Sequence, residues 1–300
     1  MKKVLILVII GVAMVLIGSA VFAGAFAATG FEVHDMSVSK TVSNSYDIDE
    51  SFGKILINTT GTVINIKPTG DKARVELKER ESQLHKVAVE NGVLKIEQAD
   101  GRRWYEYFPF FTKPMEITLY LPGSSYEAIE VKDTTGSLTV GGELFFGDFK
   151  VKTSTADIDL TRISADKIDI SVSTGKVTLD SVHCSGTVTV SVSTGDLLIK
   201  ESVCSDLVTT GDTGEVVLKS SVATGSADIR RSTGDVRFNF FDAGTIKVKT
   251  STGDVYGTIL SGKTFSVKTS TGKTSVPKST EGGSCEIVTS TGDIRIEIAE

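Results

Sequence analysis

Apolar and polar residues alternate along the C-terminal two-thirds of the chain, and the alternation returns at a fixed interval. In most units, apolar residues lie five and seven positions before a glycine and two and four positions after it, as at Val190 and Leu197 around Gly195. The glycine, or an alanine in its place, marks nine units in one register: Gly136, Ala156, Gly175, Gly195, Gly214, Gly234, Gly253, Gly272 and Gly292. Successive markers are 19 or 20 residues apart. A period of this length is typical of a solenoid.

The repeating unit predicts two short strands joined by a bend at the marker. Alternation of apolar and polar residues is the period of a β-strand, and a bend often needs the positive φ that glycine adopts without a Cβ clash. In Thr250-Ser251-Thr252-Gly253-Asp254 and its relatives, Ser, Thr and Asp can hydrogen-bond their own backbone. Because every unit repeats in the same sense, the sequence predicts an all-β fold, a single-stranded parallel β-helix (β-solenoid) with right-handed coils.

The regularity of the repeat divides the chain into segments. Residues 129–300 carry the regular repeats, whereas residues 51–128 contain strand-like runs with a weaker repeat and are predicted to form irregular first coils of the same β-solenoid. Residues 31–50, rich in Ser, Thr, Val and Asp, have no repeat and are predicted to form a stalk or a first loose strand. We expect the last strand, residues 293–300, to end the column, where its glutamates either discourage edge pairing or leave an open end that docks a partner.

An uncharged, mostly apolar run follows two lysines at the start of the chain. It extends from Val4 to Ala28, and its 25 residues are enough to cross about 30 Å of hydrocarbon as a helix. The alternative is a cleaved signal peptide with Ala25-Phe26-Ala27 as the cleavage site, but the apolar part of such a peptide is shorter, about 7–15 residues. We therefore expect residues 1–30 to form an uncleaved single-pass anchor. Since Lys2 and Lys3 favour the cytoplasm, the following domain would be extracellular.

Six aromatic residues lie close together, with prolines among them. They are Trp104, Tyr105, Tyr107, Phe108, Phe110 and Phe111, and they form the candidate binding patch of the chain. A solenoid must cover its terminal core, so the patch could be a structural plug. It could also bind a glycan or rest at the membrane interface, where Trp, Tyr and basic residues accumulate, because exposed aromatic patches usually mark contacts.

Two of the three cysteines share a position in the repeat. Cys184 and Cys204 each follow their marker glycine by nine residues, so they should stack on adjacent coils at a Cα separation that a disulfide permits. Outside the cytoplasm a disulfide between them could form. The alternative is a stacked pair of small residues, because same-register neighbours often have the wrong Cβ geometry. Cys285 occupies an inward strand position and is predicted to lie in the core.

An acidic residue follows the marker in most units, and two explanations are open for the row that results. Asp196, Glu215, Asp235 and Asp254 are consecutive in this row. Neighbouring charges in it would repel by about 1 kcal/mol per pair in water. Calcium could relieve the repulsion, but lysines interrupt the row and the nonapeptide of calcium-binding β-rolls is absent. Turn-capping aspartates are the favoured interpretation, and no metal or other cofactor is expected.

Catalytic motifs are not found in the sequence. The three histidines, His34, His85 and His183, lie in unrelated segments and offer no spacing of metal ligands. There is no nucleophile elbow and no phosphate-binding glycine loop, so we expect no enzyme activity. A β-helix that cleaves acidic polysaccharides is a weaker alternative, because the outward lysines have no partnering acids. The net charge of −6 argues against a nucleic-acid partner.

Three features point to a known family: the repeated Ser-Thr-Gly-Asp turn, the segment Ile117-Thr118-Leu119-Tyr120-Leu121-Pro122, and the single N-terminal apolar run. In these features the chain resembles the bacterial putative-adhesin β-strand-repeat domain, also called the toastrack domain, over about residues 45–300. The resemblance implies surface exposure and, for some members, association with phage-shock-type or cell-wall-antibiotic stress systems. It transfers no catalytic residue. Ala156 departs from the turn glycine, and the aromatic residues at 104–111 map to no general feature of the family.

Taken together, the sequence predicts a membrane-anchored, extracytoplasmic β-solenoid that acts as a non-catalytic interaction or scaffold module in cell-envelope sensing or stress response. Its partner would be an envelope protein or a cell-wall polymer. The alternatives are a surface adhesin or carbohydrate-binding module and, less favoured, a polysaccharide-cleaving enzyme.

Overall fold

The structure, a computed structural model, describes residues 14–21, 24, 40–99, 114–123, 125–279 and 281–299, and a helix covers residues 14–21. Eight helical residues rise about 12 Å, less than half of the roughly 30 Å of a bilayer core. No helix in the described ranges is long and apolar enough to cross a membrane. The predicted span from Val4 to Ala28 is therefore not supported by the described helix. Apart from Gly24, the rest of that run lies outside the described ranges.

The remaining described chain consists mainly of β-strands, which confirms the predicted all-β class. The strands are β1 (Thr41–Ile48), β2 (Lys54–Asn58), β3 (Thr62–Thr69), β4 (Ala73–Arg80), β5 (His85–Glu90), β6 (Val93–Gln98), β7 (Met115–Pro122), β8 (Ser125–Thr174), β9 (Val177–Asp180), β10 (His183–Thr194), β11 (Leu197–Lys200), β12 (Val203–Thr213), β13 (Val216–Lys219), β14 (Val222–Thr233), β15 (Val236–Thr252), β16 (Val255–Ile259), β17 (Thr264–Thr271), β18 (Thr274–Ser275), β19 (Ser284–Thr291) and β20 (Ile294–Ile298). β8 is long because its extended backbone continues through several bends.

Strands at equal positions of successive repeats pair in parallel. β10 lies between β8 and β12, and β11 lies between β9 and β13. The register follows the sequence repeat, because Leu197 is paired with Val177 in the preceding unit and with Val216 in the next. The prediction of a β-solenoid with parallel coils is confirmed for this part of the chain.

The inward side chains of the coils form one continuous core. Val190, Leu197 and Val216 are completely buried, and they belong to a single cluster of apolar residues that extends from Ile48 to Ile296. Burial of each side chain of this kind contributes about 1.5–3 kcal/mol. The stacked apolar rows are therefore the main source of stability.

The marker glycines lie in one row along the bend between the two strands. Gly175, Gly195 and Gly214 have φ between 130° and 140°, a region that side chains disfavour. The row is also tight, since a Cβ at Gly195 would lie 1.9 Å from the carbonyl oxygen of Gly175. The N–H of Gly195 donates to the carbonyl oxygen of Thr213 on the next coil at 2.8 Å. Glycine is needed both for the backbone conformation and for the close approach of the coils.

A second bend lies six residues after the marker and is not apparent in the sequence pattern. Its residues have φ between 47° and 56° although none is glycine: Arg162, Ser181, Glu201, Ser220 and Phe240. A bulky residue in this region is a genuine outlier. Phe240 is, in addition, 50% exposed. This row turns each coil toward its third side.

The N-terminal strands differ from the regular coils in direction. β2 pairs in parallel with β6 and β8, and β3 pairs in parallel with β7 and β8, as in a coil. The pairs β1–β4, β4–β7 and β5–β6 are antiparallel. Asn91 and Gly92 join β5 to β6 with positive φ at both residues, as a two-residue hairpin requires. Antiparallel pairing thus extends the column here, in contrast to the predicted parallel coils.

The last coil is inserted out of sequence order. β19 pairs with both β15 and β17, and β20 pairs with both β16 and β18. The unit of Gly292 therefore lies between those of Gly253 and Gly272. Ile294 and Ile296 on β20 are 0% and 2% exposed. The expectation that residues 293–300 form the open end of the column is wrong, because β17 and β18 take the outer position.

The connections explain how a coil can enter between two others. The returning segment contains Gly283, where a Cβ would lie 1.7 Å from the carbonyl oxygen of Gly244. Glycine leaves room for the returning chain beside its neighbour. The outgoing connection is fixed by Lys263, whose buried ammonium lies 2.8 Å from the carboxylate of Asp242. These contacts leave space for β19 and β20 between the outer coil and the coil of β15 and β16.

Candidate functional site

Three connections of the N-terminal part converge on one cleft, which we call the loop cleft. They link β1 to β2, β3 to β4 and β7 to β8, and the loop cleft between them has a volume of about 560 Å³. Its lining includes Asp49, Glu50, Phe52, Asp71, Lys72 and Tyr126. Binding residues concentrate on loops that a rigid scaffold positions. The volume lies in the range of about 300–1,000 Å³ that is usual for ligand sites.

The floor of the loop cleft is a stack of aromatic rings that continues into the core. Phe52 stacks on Tyr126 with 5.7 Å between ring centroids, and Tyr126 stacks on Phe146 at 6.0 Å. Phe146 contacts Phe149 edge-on at 5.4 Å, and both are buried. Such pairs add about 0.5–1.5 kcal/mol beyond their burial. Phe52 is thus fixed by the core, while part of its surface stays accessible.

Tyr126 ties the floor to the connection between β7 and β8. Its side chain is buried, and its hydroxyl donates to the carbonyl oxygen of Pro122. Burial raises the pKa of Tyr126 to about 12. The phenol therefore stays neutral at physiological pH and keeps its hydrogen bond.

The rim of the loop cleft carries more acceptors than donors. Asp49, Glu50 and Asp71 supply carboxylates, and Lys72 supplies an ammonium. The Lys72 ammonium donates to the Asp49 carboxylate at 2.5 Å, and this hydrogen bond raises the pKa of Lys72. Both side chains are largely exposed, so the pair adds little to stability. Because Lys72 already has a carboxylate partner, the rim offers a ligand a negative, acceptor-rich surface.

A smaller cleft adjoins the loop cleft and shares Ser51 and Phe52 with it. Its volume is about 280 Å³. The backbone between the two clefts is held on both sides. The N–H of Gly53 donates to the carbonyl oxygen of Gly92 at 3.0 Å. The carbonyl oxygen of Gly53 accepts from the N–H of Glu127 at 2.8 Å. Phe52 therefore lines both clefts from a fixed segment.

A second polar cluster is enclosed by the N-terminal strands. Nδ1 of His85 lies 2.8 Å from the Glu79 carboxylate, and Nε2 lies 2.7 Å from the hydroxyl of Thr59. The hydroxyls of Thr59 and Thr62 are 2.6 Å apart, and Asn44 donates to the second Glu79 oxygen at 2.9 Å. The His85 and Glu79 side chains are at most 1% exposed. Hydroxyl, imidazole and carboxylate have the order of a catalytic triad, but the hydroxyl is buried and bonded within the fold.

Sequence reasoning missed this cluster because its members come from three separate segments. His85 has no useful spacing to the other histidines. One indication was available, since the inward positions of β4 continue from Ala73, Val75 and Leu77 to Glu79. A carboxyl group at a fourth inward position requires a buried partner. The structure supplies it from β5.

The acidic row at the turns is bound by backbone donors of the neighbouring coil. The carboxylate of Asp196 accepts from the N–H of Glu215 at 2.9 Å, and that of Asp235 accepts from the N–H of Asp254 at 2.8 Å. The row continues to the next coil, where the carboxylate of Asp254 accepts from the N–H of Asp293 at 2.7 Å. These aspartates connect coils. In the part of the chain that the structure describes, no group of three or more His, Cys, Asp and Glu residues is placed to hold a metal ion.

The cysteines lie at the core and its margin. Cys184 and Cys204 are register partners on β10 and β12, and both are free thiols, as is Cys285. Burial raises the pKa of Cys184 and raises those of Cys204 and Cys285 to about 12. All three are therefore protonated at neutral pH.

The aromatic patch of the sequence lies outside the described residues. This holds for Trp104, Tyr105, Tyr107, Phe108, Phe110 and Phe111. The loop cleft, in contrast, was not predicted. Phe52 and Tyr126 are far apart in sequence. Tyr126 follows the turn residues Pro122 and Gly123, which indicate a loop but not which other loop it meets.

Comparisons with known proteins agree with this architecture. A putative adhesin from Bacteroides fragilis has a TM-score of 0.51 and 15% identity, with 86% of this chain and 97% of that chain covered. A putative lipid binding protein from Parabacteroides distasonis has a TM-score of 0.50 and 13% identity, with the same coverage of 86% and 97%. At these identities the likeness concerns the fold alone. No curated protein matches the chain.

The family model Toastrack DUF4097 matches residues 52–252 and 185–300. The two matches overlap, and together they include the aromatic floor of the loop cleft and the whole row of marker glycines. The chain belongs to the Toastrack DUF4097 family.

Proposed function

We propose that this protein is a non-catalytic interaction module of the cell envelope. A single-pass N-terminal anchor would hold a right-handed β-solenoid on the outer side of the cell membrane. The β-solenoid would act as a rigid scaffold that presents the loop cleft to an envelope protein or a cell-wall polymer, in envelope sensing or a stress response.

The loop cleft is the observation that carries this proposal. It combines an accessible aromatic ring with charged groups, and the ring is fixed through Tyr126 to the buried Phe146. Pre-organised contacts cost less conformational entropy on binding. A rigid column that ends in a loop-built cleft suits recognition better than chemistry, because the buried hydroxyl of Thr59 has no access for a substrate.

Crosslinking in intact cells tests the partner. A photoreactive phenylalanine analogue is placed at Ser125, an exposed residue of the loop cleft, and at Lys249, an exposed residue of a regular coil. We expect irradiation to capture one envelope component from position 125 and not from position 249. Identical products from both positions, or cytoplasmic proteins alone, would contradict the proposal.

Topology needs its own test. Lys249→Cys introduces an exposed thiol, whereas the native thiols are protonated and mostly buried. We expect the variant in the membrane fraction, and a membrane-impermeant maleimide should label it in intact cells. Labelling that requires lysis would refute the outward orientation, and a chain recovered in the soluble fraction would refute the anchor.

A surface adhesin or carbohydrate-binding module is the second candidate. The accessible ring of Phe52 beside three carboxylates favours it. Binding of a purified glycan from outside the cell, without capture of any component of the cell's own envelope from position 125, would select this function over the first.

A further inference from the structure

We infer that the loop cleft binds an uncharged, hydroxyl-rich saccharide, with the Phe52 ring as the platform and the acidic rim as the hydrogen-bond acceptor. The inference rests on the proposed function, and it narrows the ligand of that site to one chemical class.

The hydrogen-bonding groups of the rim define what a ligand must bring. Ionised Asp49, Glu50 and Asp71 can only accept hydrogen bonds. The one ammonium of the rim, on Lys72, uses one of its three donors on Asp49, and the three carboxylates leave the rim with an excess of acceptors. A ligand that supplies donors matches this excess, and hydroxyl groups do so without a charge. An anionic ligand would instead face repulsion of about 1 kcal/mol per close pair even in water.

The aromatic floor defines the shape of the ligand. Tyr126 stacks on one face of the Phe52 ring, with 21° between the ring planes, and part of the Phe52 side chain remains accessible in the cleft. A pyranose ring has a C–H face and hydroxyls around its rim. Such a ring can pack its apolar face on Phe52 while its hydroxyls reach the surrounding carboxylates. Tyr and Phe rings are effective contacts because their ordering costs little conformational entropy.

Other ligand classes fit less well. An acyl chain needs a cavity enclosed by apolar side chains, whereas this lining is half made of charged residues and serines. A peptide that binds as an added β-strand needs a free sheet edge, but the loop cleft is formed by connections between strands. A phosphate or a uronate would meet three carboxylates and a single ammonium, which is already paired with Asp49.

Binding of defined trisaccharides to the purified full-length chain tests the inference. The probes are cellotriose and chitotriose as neutral ligands and trigalacturonate as an acidic one, with calorimetry for affinity and saturation-transfer NMR for ring contacts. We expect a neutral trisaccharide to bind, with saturation on its C–H protons, and the acidic one to bind at least tenfold more weakly. Preference for trigalacturonate, or no binding by either neutral probe, would overturn the inference.

Variants locate the binding in the loop cleft. Phe52→Ala should weaken the neutral trisaccharide at least tenfold, Asp71→Asn about threefold, and Phe52→Tyr should keep binding and so exclude loss of folding as the cause. Phe240→Ala is the matched control, because Phe240 is an exposed phenylalanine of β15, and it should leave affinity unchanged. Equal effects of Phe52→Ala and Phe240→Ala would refute the assignment.

The two proposals fail separately. If no trisaccharide binds but position 125 still captures an envelope protein, the saccharide inference falls and the proposed function stands. If neither result is obtained, both fall.

Discussion

At the scale of the residue, the turn glycines are required by their neighbours as well as by their own backbone. Gly195 has φ of 137° and also lies against the carbonyl oxygen of Gly175. Gly136 lacks a positive φ, yet a Cβ there would lie 2.0 Å from the carbonyl oxygen of Thr62. Glycine recurs at this position for two reasons, the positive φ of the bend and the close approach of the neighbouring coil. Only the positive φ could be expected from turn chemistry.

Gly195→Ala should destabilise the protein by about 3 kcal/mol or more, because backbone strain of about 1–3 kcal/mol adds to the overlap with Gly175 of the preceding coil. Denaturant unfolding measures the loss. Gly141→Ala is the control, since a Cβ at Gly141 meets nothing within 4 Å and φ is not positive. Similar losses in both variants would show that the row is not tightly stacked.

The buried Glu79 should make the free energy of unfolding depend on pH in the acidic range. Burial alone raises the pKa of Glu79, but hydrogen bonds from the ring and backbone of His85 and from Asn44 lower it below its ordinary 4.5. A carboxyl group with a lowered pKa stabilises the fold above its unfolded pKa, and this contribution is lost as pH falls through the folded pKa.

Glu79→Gln should therefore lower the free energy of unfolding at pH 7 by about 1–3 kcal/mol, and the difference from the native protein should shrink below about pH 4.5. Thermal unfolding from pH 3 to 7 measures this. The exposed Glu81 gives the control Glu81→Gln, for which we expect little change. A difference for Glu79→Gln that is constant with pH would contradict the ionised state.

At the scale of the element, the position of the inserted coil is explained by its apolar side chains. The coil of β19 and β20 is more apolar than the coil of β17 and β18. β20 carries Ile294, Ile296 and Ile298, whereas β18 consists of Thr274 and Ser275. Both coils have the same register of Ser-Thr-Gly turns, so either could stack on β15 and β16. The observed order buries the apolar coil on both sides and leaves the polar one outside.

Two alanine substitutions at paired positions test this order. Ile287 on β19 is fully buried, and its partner Val267 on β17 is half-buried. Ile287→Ala should cost about 2–5 kcal/mol, and Val267→Ala about 1 kcal/mol, because part of its surface is already in water. A larger loss for Val267→Ala would mean that the coils stack in chain order.

At the scale of the whole molecule, the repeat predicts the column but not its two ends. The marker spacing determines which residues stack, as Leu197 does on Val177, because each coil needs the next to cover its core. The order of the last two coils could not be predicted from the sequence. Phe265 and Cys285 occupy the same position of the repeat, so either coil could be stacked on β15. The loop cleft could not be read either, because it depends on how three unrelated connections meet in space.

Thiol labelling should show how the column opens. Cys184 lies on β10 in the middle of the column, and Cys285 lies on β19 next to the outer coil, and both are at most 2% exposed. A solenoid opens most easily from its ends, so a maleimide should modify Cys285 faster than Cys184 in mild denaturant, as read by mass spectrometry of peptides. The unfolded chain is the control, in which the two cysteines should be modified at equal rates. Equal modification rates in mild denaturant as well would mean that the column opens only as a whole.

The inserted coil also bears on biosynthesis. Residues 264–275 leave the ribosome before residues 284–299, so the column cannot be assembled in the order in which it is translated. While residues 284–299 are still inside the ribosome, the nascent chain must keep the outer coil loose or stack it directly on β15 and β16. Pulsed proteolysis of stalled and released chains distinguishes the two states. The column is therefore completed only after residues 284–299 have left the ribosome.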